Sequence, residues 1–452
     1  MAMVIKNNMS AKNTLNQLNK NNKALEKSLA KVSSGMRINN AGDDSSGYAI
    51  SERMRGQILS LGQDDRNTQN GNSMLKVAEG AVQSDIEILR TLKEKVINAA
   101  NDTNTDEDRM IIQREFDQMI NQIDDNANVT YNGMTLMDGS RNHSVLNPGT
   151  YTCLTNTDLY HDTQPLTRLT DLRDHTGNNI GILPSDTVTI SYVKQGKSYI
   201  QSFPAAQKVP GFDIHGNPVI YTVVESLQSM FDKLGTTNIA MVKPCTPYIG
   251  TDAHGNNVYT PDYSTAVTFR AVEPGTEGQI AGLTISITDR YGNQRRTANT
   301  VLDNFTETIR AENPSPDNSI VLQTGTRANQ AVKIGLSDMR CTSLGLKATD
   351  GTTLDISTQA HANAAINVLE TALLKATNQA TTIGAVENRL GMTSGNIITQ
   401  QENTQNSEST IRDADMAAEM AEYTKNNVLQ QASQSMLAQA NQNSSAVLSL
   451  LQ

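Results

Sequence analysis

Two hydrophobic rhythms alternate along the chain and divide it in three. Leu15, Leu18, Asn22, Leu25, Leu29, Val32 and Met36 lie alternately three and four residues apart, with no Gly or Pro before Gly35. That is the a/d spacing of a coiled-coil helix. A polar connector follows from Arg37 to Gly47, carrying the acidic pair Asp43-Asp44. A second long helix is expected from Ser45, with a stripe through Ile50, Met54, Ile58 and Leu61. The stripe continues through Leu75, Ala78, Val82, Leu89, Leu92 and Val96, and Asp85 is its one discordant position. Thr105 with Asp108 has the form of a capping box and opens a third helix bearing Ile112, Phe116, Met119 and Ile123. Asn132-Gly133 is a hairpin-turn dipeptide, so the pattern changes to strand there.

In the middle the period is two, as in Thr187–Tyr192 and Leu283–Ile287. All 12 prolines lie between Pro148 and Pro316. An Asp-x-x-Gly-Asn pattern occurs at Asp174–Asn178, Asp213–Asn217, Asp252–Asn256 and Asp289–Asn293. Asp opens a turn and Gly supplies positive φ, so hairpins are expected at each. One short helix is expected near Val224–Leu234. The helical rhythm returns after Asp355 with Ile366, Leu369, Leu373, Ala376, Ala380, Ile383 and Leu390, and Glu387 as the exception. From Asn396 to Gln452 Gly and Pro are absent. That stretch carries Leu429, Ala432, Met436 and Ala440, then Val447, Leu448, Leu450 and Leu451.

The expected fold class is therefore α+β, with a long-helix coiled-coil core built from both termini and a β-rich inserted outer region. The expected spans are 1–44 for an N-terminal coiled-coil helix and connector and 45–140 for the first half of a helical domain. A β-rich region spans 141–320, the second half of the helical domain 321–405, and a C-terminal coiled-coil helix 406–452. Two terminal helices make only a thin coiled coil by themselves, and neighbouring copies must cover the apolar faces that remain. Self-association follows from that pattern.

Composition narrows the function. A net charge of −10 argues against nucleic acid as a partner. No apolar run reaches the roughly 20 residues of a membrane span. Residues 1–10 lack the basic-then-apolar pattern of a cleaved signal, so a surface protein with this start needs another export route. Aromatic residues make up 4 % and Trp is absent, which suits long helices of modest apolarity. Cys153, Cys245 and Cys341 are far apart and show no metal-ligand spacing. The six histidines, His143, His161, His175, His215, His254 and His361, form no HExxH pair, and those within Asp-x-x-Gly-Asn read as turn residues. Asp43 and Asp44 read as a turn held by side-chain–backbone bonds, with Arg37 as a candidate partner, rather than as metal ligands. Without a phosphate loop or nucleophile elbow, no catalytic, metal or cofactor site is expected.

Three blocks resemble the bacterial flagellins. The first is Val32-Ser-Ser-Gly-Met-Arg-Ile-Asn-Asn-Ala-Gly-Asp-Asp-Ser-Ser-Gly-Tyr-Ala-Ile50, and the second Ile383-Gly-Ala-Val-Glu-Asn-Arg-Leu390. The third is Leu429-Gln-Gln-Ala-Ser-Gln-Ser-Met-Leu-Ala-Gln-Ala-Asn441 with Val447-Leu-Ser-Leu-Leu451. The resemblance implies a structural subunit of the extracellular flagellar filament, without enzymatic activity or cofactor. It implies a polymerisation core that includes Leu15, Leu18, Leu25, Leu29, Val32, Leu429, Met436, Leu437, Leu448 and Leu451. Leu25 and Leu29 are expected to face Met436 and Leu437. Arg37, Asp43 and Asp44 then belong to a spoke between inner coil and rod. The partners implied are further copies of the chain, the cap and hook–filament junction proteins, an export chaperone and the flagellar secretion apparatus. A hook–filament junction protein is the alternative, against which the intact terminal block speaks. Some flagellins are sensed by vertebrate Toll-like receptors at an Arg, a Leu and a Glu. Here Thr91 and Lys95 stand at the first two positions and Glu115 keeps the third, a partial match.

Overall fold

The computed structural model describes residues 8–212, 218–233, 238–242, 246–260 and 263–450, with the backbone alone for 209–212, 218–221 and 443–450. The helices are α1 (Met9–Ser34), α2 (Ser45–Ala99), α3 (Asp106–Ala127), α4 (Leu227–Lys233), α5 (Arg296–Leu302), α6 (Cys341–Leu344), α7 (Gln359–Arg412) and α8 (Met416–Leu450). The strands are β1 (Thr130–Tyr131), β2 (Met134–Thr135), β3 (Cys153–Asn156), β4 (Thr187–Lys194), β5 (Lys197–Pro204), β6 (Ala206–Phe212), β7 (Pro218–Val224) and β8 (Ile239–Met241). They continue as β9 (Tyr248–Thr251), β10 (Asn257–Tyr259), β11 (Val267–Ala271), β12 (Ile280–Thr288), β13 (Thr306–Ile309), β14 (Ile320–Gln323) and β15 (Ala331–Ile334). The chain forms two compact units, one of residues 70–322 and 332–390, the other of residues 1–69, 323–331 and 391–452.

The 70–390 unit has an extensive helical core. Along α2, Leu75, Ala78, Val82, Leu89, Leu92 and Val96 are fully buried, as their spacing requires. They share one cluster with Phe116, Ile120 and Ile123 of α3 and with Leu369, Ala376, Ile383 and Leu390 of α7. The expected α7 series needs a correction at alternate positions. Ala365, Ala372 and Gln379 are buried there, whereas Ile366, Leu373 and Ala380 are only partly covered. Neighbouring residues on a helix point about 100° apart, so a broad apolar stripe contains two adjacent seams and spacing alone does not choose between them.

The turns and caps follow local chemistry. Thr105 and Asp108 form the capping box of α3. Arg109, on the same first turn, donates to the carbonyls of Ala99 at 2.7 Å and Asn101 at 2.9 Å, where α2 ends with unsatisfied acceptors. Asn132 and Gly133 have φ of 50° and 77°, the two positive values a two-residue hairpin needs between β1 and β2.

The β-rich part has its own core. β13-β3-β11-β8 form one sheet and β12-β4-β5 another. Val188, Ile190 and Tyr192 of β4 and Leu283, Ile285 and Ile287 of β12 are buried together with Leu227 and Phe231 of α4 and with Ala298 and Leu302 of α5. β12 bulges at Gly282, where φ is +65° and a Cβ would come within 2.8 Å of Val368 in α7. Three of the Asp-x-x-Gly-Asn segments adopt one geometry. Asp174, Asp252 and Asp289 each accept from the backbone N–H two and four residues on, at 2.7–3.0 Å. In each, the glycine N–H returns to the aspartate carbonyl. The fourth, Asp213–Asn217, lies outside the described residues, as does Cys245. Cys153 and Cys341 are buried free thiols, and the Cys341 Sγ donates to the Ile120 carbonyl at 3.0 Å.

Asp85 occupies a core position with 1 % exposure. Asn126 donates to one of its oxygens at 2.8 Å, and the other has no partner. Burial, only partly opposed by the Asn126 bond, pushes its carboxyl up to about 7. A raised folded-state value means full stability below the ordinary carboxylate range and progressive loss as pH rises to about 7. The loss approaches roughly 4 kcal/mol. Asp85→Asn keeps the Asn126 bond and removes the titration. Its advantage in unfolding temperature over the unaltered chain is expected to grow between pH 4 and pH 7 and then level off. A pH-independent difference would show that Asp85 ionises normally in the fold.

Candidate assembly interface

In the unit of residues 1–69, 323–331 and 391–452, α1 and α8 run antiparallel. Asn8 bonds near the far end of α8 at Ala440, and Lys31 reaches its start at Glu419, with a 3.0 Å ion pair. Both helices obey heptad spacing, yet the residues they bury between them are largely polar. Asn21 and Ser28 are the buried residues of α1. Asn426, Ser433 and Ala440 are those of the described part of α8, again seven apart. The Asn21 amide donates to Ser433 Oγ at 2.7 Å and to the Leu429 carbonyl at 3.2 Å. The Asn426 amide donates to Ser28 Oγ at 2.8 Å, and Gln430 donates to Asn22 at 2.9 Å. Leu18, Leu25, Val32 and Leu437 are half-buried beside this ladder.

The expected facing of Leu29 and Met436 is corrected. Leu29 is 51 % exposed and Met436 62 %, and Leu15 and Leu429 are exposed as well. The cause is the same one-residue rotation as in α7: Ser28 takes the inner position expected for Leu29, and Ser433 is three residues before Met436 on the facing helix. The side chain of Leu448 and the whole of Leu451 lie outside the described residues. The missed residues, Asn21, Ser28, Asn426 and Ser433, had one signal in the sequence, a seven-residue repeat of small polar side chains within helices otherwise striped with apolar ones.

The connector between α1 and α2 is held by backbone bonds. Gly35, at φ +71°, ends α1. Gly35 and Arg37 pair with the end of α7 and the segment after it, through Ala414 N–H to the Gly35 carbonyl at 2.9 Å and Arg37 N–H to the Arg412 carbonyl at 2.7 Å. The Arg37 side chain donates to the Ile411 carbonyl at 2.6 Å, not to the acidic pair as expected. Asp43 accepts from the N–H groups of Asn39 and Asn40, at 3.3 and 3.4 Å. Asp44 accepts from Ser46 and Gly47, at 3.1 and 2.9 Å, and so caps α2. Ile38 fills the inside of this turn at 2 % exposure. Arg412 is itself buried, 2.5 Å from Glu52 and over the Tyr48 ring.

The other candidate face lies in the 70–390 unit. Lys95 on α2 pairs with Glu115 on α3 at 2.8 Å, and the Thr91 hydroxyl donates to the Glu87 carbonyl. Among the described residues there is no group of three or more His, Cys, Asp or Glu side chains arranged to hold a metal ion. Among them, too, no helix is long and apolar enough to cross a membrane.

Residues 5–142 match the model of the bacterial flagellin N-terminal helical region, and residues 366–451 that of the C-terminal helical region. A flagellin of Clostridium tyrobutyricum is 32 % identical over 441 residues, covering 97 % of this chain and 99 % of its own. The chain belongs to the bacterial flagellin family. A Bacillus subtilis flagellin is 28 % identical over 470 residues, covering 99 % of this chain and all of its own. A flagellar hook associated protein-3 structure from Legionella pneumophila aligns at 14 % identity over 80 % of this chain and 98 % of its own, with a TM-score of 0.31, too low to bear on the choice between subunit and junction protein. As a flagellin, the chain is a structural subunit that self-polymerises into the extracellular flagellar filament. Its α+β fold has helical termini around a β-rich middle.

The polar seam of this flagellin is open to a double-mutant cycle. Asn426→Leu alone leaves Ser28 Oγ without its donor, and it is expected to lower the stability of the monomer's terminal helices by about 1 kcal/mol. Adding Ser28→Ala is expected to restore or exceed the original value, because replacing both partners of a buried bond by apolar groups is close to neutral. Additive effects in thermal melts followed by helical circular dichroism would mean that the two residues do not pair.

Proposed function

We propose that the terminal helices form the inner layer of the filament, and that the apolar residues left outside the α1–α8 seam are the surface by which copies pack. The observation that carries this is the exposure of Leu15, Leu29, Leu429 and Met436 on helices whose mutual contact is polar. Apolar side chains placed at helical spacing on two neighbouring helices have no use in the isolated chain. Covering them contributes roughly 25 cal/mol per Å². Leu18, Leu25, Val32 and Leu437 join the two surfaces, and Leu448 and Leu451 extend the apolar end of the last helix.

In this reading residues 1–44 and 406–452 make the inner coil, with Arg37, Asp43 and Asp44 in the spoke. Residues 45–140 and 321–405 make the surrounding rod, and 141–320 the outer surface. Secretion proceeds unfolded through the flagellar export apparatus with a chaperone. The chain meets the junction proteins at the filament base and the cap at its tip, and it serves swimming as a building block without catalytic activity. The partial receptor match at Thr91, Lys95 and Glu115 supports no claim of sensing, since Lys95 and Glu115 are already paired with each other.

Leu29→Asp tests the packing surface. Leu29 is exposed in the single chain, so the monomer is expected to keep its helical signal. In a polymer the carboxylate would be buried without a partner at a cost of several kcal/mol per copy, and assembly is expected to fail at concentrations where the unaltered chain polymerises. Lys20→Asp, exposed on the same helix, serves as the charge control and is expected to assemble. A normal critical concentration for Leu29→Asp would remove this residue from the interface.

A further inference from the structure

The β9–β10 hairpin, within the 70–390 unit, has one buried face and one open face. Ile249 and Val258 turn inward onto Cys153 and Ile309. Strand side chains alternate, so the residues beside them point outward, and the register sets Tyr248 opposite Tyr259. Their ring centroids are 5.6 Å apart. Tyr263 lies beyond the end of β10, with its ring 5.4 Å from that of Tyr259. Its backbone φ of +52° is one that bulky residues seldom adopt. Two bonds hold this turn, from the Tyr263 N–H to the Thr260 carbonyl at 3.1 Å and from the Thr260 hydroxyl to the Ser264 carbonyl at 2.7 Å. Tyr259 thus touches both of the other rings.

All three rings stay open to solvent. Tyr248 and Tyr259 are each 43 % exposed and Tyr263 is 70 % exposed. Another tyrosine pair in the same unit makes the contrast. Tyr192 and Tyr199 stack at 5.1 Å, but Tyr192 is 1 % exposed and its hydroxyl accepts from Asn238 at 3.1 Å. That pair is in ring contact yet shielded on one side, whereas the hairpin tyrosines are both in contact and within reach of a reagent. Ring packing would be served as well by Phe, and the phenol oxygen adds a chemistry that Phe lacks.

We propose that Tyr259 is an oxidative cross-linking site that couples with Tyr263 or Tyr248 to form dityrosine. The oxidant is hydrogen peroxide acting through a haem peroxidase. Each of the two phenols gives up one electron and its hydroxyl proton. The peroxide takes both electrons and both protons and becomes two waters. The two phenoxyl radicals then join through the ring carbons beside their oxygen-bearing carbons. The hydrogens on those ring carbons move to the oxygens, which restores both phenols. A neighbour already in ring contact has an effective concentration far above that of a second molecule in dilute solution, so the bond forms within the chain. In the extracellular filament no cytosolic thiol pool quenches the radicals. A Tyr248–Tyr259 bond fastens the two strands of the hairpin, and a Tyr259–Tyr263 bond fastens the turn that follows.

Treating dilute full-length monomer with a haem peroxidase and hydrogen peroxide tests the assignment. The monomer is expected to gain dityrosine fluorescence. Its digest is expected to contain linked peptides, lighter by two hydrogens, that join Tyr259 to Tyr263 or Tyr248. Tyr259→Phe, which keeps the ring, is expected to remove the fluorescence from the monomer and leave the helical signal unchanged. Tyr291→Phe, at an exposed tyrosine on another turn, is the control and is expected to keep it. The proposal is overturned if the treated monomer contains no dityrosine, if Tyr259→Phe loses no more of it than Tyr291→Phe, or if the linked peptides map to a different pair such as Tyr192 and Tyr199.

Discussion

The behaviour of this chain rests on a helix pair that is wound correctly but bonded weakly. α1 and α8 meet along a heptad seam whose buried positions are Asn21, Ser28, Asn426 and Ser433. Bonds between specific partners at 2.7 and 2.8 Å fix the register. Paired polar groups contribute little net free energy, because each bond replaces one made with water. An Asn at a coiled-coil core position specifies alignment at a cost in stability. The pair therefore knows how it should align before it has much reason to hold.

The 70–390 unit obeys the same periodicity with the opposite content. Its α2 and α7 seams are lined by Leu, Ile, Val and Ala, with the α3 face added, and its β-rich part has a separate core around Tyr192, Phe231 and Phe269. Burial of that kind stabilises a folded unit in the single chain. The polar exceptions, Asp85 and Gln379, each sit at a heptad core position with one atom unpaired. The chain is thus built from one part stabilised by its own apolar core and another whose apolar residues face outward.

Much of this was legible in the sequence. The bounds of α1, α2 and α3, the cap at Thr105, the Asn132-Gly133 turn and the repeated aspartate turns depend on neighbouring residues and could be read locally. The expected division at 405/406 is corrected: with no Gly or Pro to mark the break, α7 runs on to Arg412 and α8 starts at Met416. The alternation in β4 and β12 named their buried faces. The choice of seam could not be read that way. Leu29 and Ser28, or Leu373 and Ala372, lie one step apart on a stripe wide enough for either to face inward. The decision belongs to the partner helix, where small or hydrogen-bonding side chains permit close approach. Apolarity alone does not mark the inside, since Leu29 is exposed and Ser28 buried.

The central claim is that the α1–α8 seam sets register while neighbouring copies supply most of the stability. Amide hydrogen exchange compared between monomer and assembled filament tests it most directly. The account predicts rapid exchange through residues 9–34 and 416–450 in the monomer, slow exchange there in the filament, and slow exchange through the α2 and α7 segments of the 70–390 unit in both. Terminal helices as protected in the monomer as in the filament would contradict it.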